Sequence, residues 1–161
     1  MQGRGPGHRA RTSRARCVVY PTPQALLAEG IACHALEVLL GDEAEEVAAR
    51  CLRPLDVPFD VETTGVVREA EQLLLGVRPN IAIMLDEGGA STEELQAYAR
   101  RWMLEDDQVV ARSVESLEAR VWRPYESCYP AGLELCRRYT AGDPARFRTL
   151  LNRQLTRSQL L

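Results

Sequence analysis

Apolar residues recur at helical spacing from Pro21 to the end of the chain, and no segment shows the alternation of a half-buried strand. The first helix spans 22–40 and is apolar nearly all round, with Thr22 as N-cap, Pro23 at the first helical position and Gly41 as the stop. A second helix starts near Asp42 and carries Val47, Ala48, Cys51 and Leu52 up to Pro54. Asp60 caps a third, with Val66, Ala70, Leu73 and Leu74 at helical spacing. Pro79 and Asn80 open a short apolar turn over 81–85, closed by Gly88 and Gly89.

Ser91 and Glu94 form a capping box ahead of a helix with Leu95, Tyr98 and Trp102 on one stripe. Val110, Val114, Leu117 and Val121 then follow i, i+4, i+7, i+11. A helix over 124–139 carries Tyr129, Leu133 and Cys136. Asp143 and Pro144 start the last long helix, with Phe147, Leu150 and Leu151, and Thr156 caps one final turn. The connections are short, as between packed antiparallel helices. The pattern predicts an all-α fold of roughly seven packed helices with no sheet.

Composition adds bounds. The chain has 161 residues, enough for one domain with a core. It is 45% hydrophobic and 27% charged, ordinary for a soluble protein. A formal net charge of −3 argues against nucleic-acid or membrane-surface partners. No apolar run approaches the ~20 residues of a bilayer span, and the expected location is cytoplasmic. All 20 basic residues are arginine, which reads as a codon bias and not as a functional signal. Residues 1–16 stand apart, with five arginines, three glycines and no acid. They read as a disordered tail, and 17–161 as a single helical domain.

Five cysteines (Cys17, Cys33, Cys51, Cys128, Cys136) form no CxxC pair and match neither a zinc knuckle nor a disulfide framework. They are expected to be small buried hydrophobes. There is no P-loop, GxGxxG, GxSxG or HExxH. Only His8 and His34 could serve as imidazole bases, and His34 is expected to pair with Glu37 at i+3.

What remains is Glu29, a carboxylate inside the apolar first helix, with His8 and the cluster Arg123, Tyr125 and Tyr129. A charge in that setting costs several kcal/mol unless it is paired or bound to a metal. Glu29 therefore predicts either an arginine partner from another helix or a place as a metal ligand.

The stretch Ala28-Glu29-Gly30-Ile31-Ala32 resembles the S-E-G-x-A helix of DUF885-type bacterial zinc metallopeptidase-like proteins. Pro6-Gly7-His8 is similar to the end of their upstream H-E-x-x-P-G-H-H motif, and Tyr129-x-x-Gly132 to a late Tyr-x-x-Gly. Residues 80–88 and the helix through Arg101 and Trp102 also resemble the C-terminal half of those proteins. The resemblance implies an incomplete zinc metallohydrolase acting on a peptide or small-molecule substrate. Glu29 and His8 would be metal ligands, Tyr129 the oxyanion or substrate group, and Arg123 and Tyr125 substrate-binding.

The family's histidine and glutamate ahead of the Pro-Gly-His are absent, and Arg9 stands where a second histidine would fall. The chain therefore reads as truncated at the front and inactive alone, with self-association through uncovered apolar faces. The other reading is a helical binding or scaffold module, a degenerate enzyme that holds a ligand beside Glu29 and Tyr129.

Overall fold

The computed structural model describes residues 22–160. The tail, His8 and Cys17 lie outside the described residues. Every regular element among the described residues is helical, as the pattern predicts. In chain order these are α1 (Pro23–Leu40), α2 (Ala44–Leu52), α3 (Val61–Leu73), α4 (Val77–Asp86), α5 (Thr92–Trp102), α6 (Asp107–Glu118), α7 (Arg123–Glu126), α8 (Cys128–Thr140), α9 (Pro144–Asn152) and α10 (Arg157–Leu160).

Several boundaries follow from caps legible in the sequence. Asp60 accepts from the Thr63 amide, and Ser91 and Glu94 close the reciprocal capping box. Gly41 adopts φ 52° and ends α1, with its N–H on the carbonyls of Leu36 and Glu37. Thr22 holds the extended backbone of an N-cap, but its hydroxyl makes no cap hydrogen bond among the described residues.

Three boundaries depart from expectation. The helix predicted over 124–139 is split at Ser127 into α7 and α8, because Pro130 has no N–H for the carbonyl of Glu126. The short turn over 81–85 is instead the ten-residue helix α4, starting at Val77. Pro79 is tolerated there because first-turn N–H groups lack intrahelical partners anyway. Val121 lies beyond the end of α6 and is exposed. The Arg123 side chain donates to the carbonyls of Leu117 (2.7 Å) and Glu118 (3.2 Å), sealing α6 there.

The core has two centres. Val77 and Ile81 of α4 pack with Leu95 and Ala99 of α5 and with Val110, Val114 and Leu117 of α6. Cys136, Phe147, Leu150 and Leu160 form the second, against Leu27, Ile31, Ala35 and Val38 of α1. That α1 stripe follows i, i+4, i+8, i+11, one face of a helix. The main packing of the fold is α1 against α8, and it is very close. A Cβ on Gly30 would lie 2.2 Å from the Gly132 carbonyl oxygen, and one on Gly132 would lie 2.2 Å from that of Leu26. Glycine at both positions lets the two backbones touch.

Not every apolar stripe finds a partner. No residue of α3 is buried, and Val66 and Leu73, expected in the core, are 64% and 88% exposed. Leu36 and Leu39 on the outer side of α1, Leu151 on α9 and Cys51 on α2 are also exposed. Among the described residues no element covers these positions. Contrary to the expectation that no apolar run approaches a bilayer span, the helical run Pro23–Leu55 is long and apolar enough to cross a membrane by length and composition. Its inner face packs on α8 and α9.

Candidate functional site

The α1–α8 crossing places Glu29 one residue before Gly30 and opposite the aromatic residues of α7 and α8. The Tyr125 hydroxyl donates to Glu29 Oε1. The Tyr129 hydroxyl lies 3.4 Å from that of Tyr125 and donates to it. The rings of Tyr125 and Tyr129 meet edge to face at 5.4 Å, and Trp122 stands edge-on to Tyr125 at 6.1 Å. Glu29 is thus joined to a phenol, where the sequence predicts an arginine or a metal ion. The aromatic stripe of α7 and α8 meets α1 at this level, and a hydroxyl satisfies the carboxylate without bringing a second charge into the interface.

Burial pushes the Tyr125 hydroxyl well above its ordinary range, and the bond to Glu29 adds to this. A phenol held neutral is a donor, not a nucleophile. The thiols nearby are silent too. Burial and the charge of Glu29 raise Cys33 and Cys128, with Glu126 adding to the latter. Cys136 is pushed up to about 11 by burial and by Cys33. None is a thiolate at neutral pH, so cysteine-nucleophile chemistry is disfavoured.

Tyr129 also lines a pocket of ≈ 360 Å³. Its apolar lining is Leu74, Leu75, Val77, Trp102, Met103 and Leu104, and its polar lining is Tyr129, Arg78 and Glu126 with two further carboxylates, Glu71 and Glu105. Arg78 donates to both oxygens of Glu126 at 2.7 Å, a bidentate pair whose carboxylate is buried. The hydrogen bond to Glu126 raises Arg78 above its ordinary value, despite burial. The pair was not anticipated from the sequence. The available signal was Glu126, a carboxylate beside Tyr125 in an aromatic stretch, which calls for a partner just as Glu29 does.

The remaining sequence candidates are placed elsewhere. Arg123 binds the end of α6 and pairs with Asp86 at 2.5 Å, so its guanidinium is engaged within the protein. His34 is 3% exposed, contacts Thr140 Oγ1 at 2.8 Å and Glu37 at 3.3 Å, and sits edge-on to Phe147. The predicted i+3 pairing is present, within a structural network that ties α1 to α8.

Among the described residues no group of three or more His, Cys, Asp or Glu side chains is placed to hold a metal ion. A catalytic zinc takes three protein ligands, so Glu29 and its described neighbours do not fit zinc by themselves. Neither a protein-family model, nor a curated protein, nor a solved structure matches this chain.

Proposed function

We propose that this chain is a helical binding module holding a small, largely apolar ligand with one hydrogen-bond-accepting group. The observation behind this reading is the ≈ 360 Å³ pocket whose mostly apolar lining also holds Tyr129 and the Arg78–Glu126 pair. Small-molecule sites have this make-up, with mostly apolar lining and a few convergent polar groups that set orientation. The apolar body of the ligand lies against Leu74, Leu75 and Leu104, and its acceptor faces the Arg78 guanidinium.

Trp102 lies on this lining and the chain has two tryptophans, so a Trp122→Phe background makes Trp102 emission the reporter. Titration with anilinonaphthalene sulfonate should saturate and shift that emission. Leu104→Glu, at an exposed position, should weaken binding about tenfold by placing a charge against the apolar body. Unchanged affinity in Leu104→Glu would remove the pocket from the proposal.

A second reading, the incomplete zinc hydrolase implied by the resemblance, has one observation in its favour. Glu29 lies in the α1 segment that resembles the ligand helix, and the two tyrosines stand beside it. The other ligands, His8 among them, would come from outside the described residues. Elemental analysis decides it: this reading expects near one zinc per chain, lost in Glu29→Ala. Zinc-free protein in both cases eliminates it.

A further inference from the structure

The charge of this chain is strongly uneven. Residues 22–134 carry nine arginines against 22 carboxylates, while 135–161 carry six arginines and a single acid, Asp143. The basic end folds into α8, α9 and α10, where an open surface pocket of ≈ 350 Å³ is lined by Arg138, Tyr139, Arg146, Gln159 and Leu160.

The polar groups of this lining are almost all donors. Arg138 makes no ion pair or side-chain hydrogen bond among the described residues. Arg146 spends one N–H on the Tyr139 carbonyl at 3.1 Å, and its Nε is 4.0 Å from Asp143, at the edge of ion-pair range. Asp143 itself already accepts from the Ala145 amide as the cap of α9. The Gln159 carbonyl oxygen accepts from the Thr156 amide and hydroxyl, which leaves its N–H₂ as the available end. Tyr139 and Leu160 belong to the second core centre and give the pocket an apolar side.

Two guanidinium groups, an amide donor and a phenol around one open pocket match the acceptor-only chemistry of a phosphate or carboxylate. We propose that this pocket binds an oxyanion carried on a small apolar body, at a site separate from the Tyr129 pocket. A small ligand is favoured over a nucleic acid because residues 22–134 are heavily acidic and would repel an extended polyanion.

The test is calorimetric titration of the full chain with phenyl phosphate, benzoate and inorganic phosphate at low salt. Saturable binding of phenyl phosphate or benzoate is expected, and the tighter of the two names the oxyanion. Arg138→Gln, at an exposed position, should weaken it about tenfold, one charge-assisted bond. Gln159→Glu should weaken it further by reversing the donor end. Arg100→Gln, which removes an exposed charge that pairs with Asp107 on the other core centre, should change affinity less than about twofold. Three results would overturn the proposal: no saturable binding, equal losses in Arg138→Gln and Arg100→Gln, or tighter and steeply salt-dependent binding of a single-stranded oligonucleotide.

Discussion

Gly30 and Gly132 fix the distance between α1 and α8, and with it the meeting of Glu29 and Tyr125. Alanine is the better helix former by about 1 kcal/mol. Here, however, its methyl would lie 2.2 Å from a carbonyl oxygen of the other helix, backbone that cannot step aside cheaply. Gly30→Ala should therefore cost about 3 kcal/mol or more net, at the upper end for overpacking. In a chain of this size that lowers Tm by roughly 6–12 °C, readable by thermal circular dichroism. A rise in Tm would mean that the helices do not touch there. In sequence these glycines look like weak points in good helices, and only the crossing gives them their purpose.

Helix α1 is tied to the rest of the protein by a polar clasp as well as by its apolar stripe. Arg137 of α8 donates to Glu37 of α1 at 2.8 Å and to Gln72 of α3 at 2.8 Å, and Glu37 also meets His34. Burial pushes Glu37 upward, but the hydrogen bond and charge of Arg137, with His34, outweigh it and hold the carboxyl below its ordinary 4.5. A depressed folded value means that the clasp contributes in full above pH about 4.5 and is lost as pH falls through the lower folded value. The stability difference between the native chain and Glu37→Gln, measured by urea unfolding, should be constant near neutrality and shrink below pH about 4.5. A difference that grows on acidification would contradict this arrangement. At this scale the caps of α3 and α5 were legible because each is a local hydrogen bond. The split between α7 and α8 was signalled by Pro130, but the aromatic periodicity ran straight across it.

For the molecule as a whole, the two core centres leave Leu36, Leu39, Val66 and Leu73 uncovered on α1 and α3. We propose that these faces drive self-association at high concentration, since exposed apolar side chains seek burial. Light scattering should report a mass that rises with concentration and returns to that of one chain in a Leu39→Ser, Leu73→Ser double variant. A monodisperse monomer throughout would refute this.

The sequence by itself determined the all-α class, the caps at Asp60, Ser91 and Asp143, the stops at Gly41 and Gly88–Gly89, and the demand of Glu29 for a partner. Each of these depends on neighbours within a few residues or on the period of one helix, which the chain carries wherever it goes. Tertiary structure alone decided that the partner of Glu29 is Tyr125, 96 residues away. It also turned Arg123 onto the end of α6, paired Arg78 with Glu126, and left Val66 and Leu73 outside the core. Those outcomes depend on which helix faces which, a matter of packing between distant segments that no local pattern encodes. Both pockets belong to that second kind, because their walls come from helices that adjoin only in the folded chain.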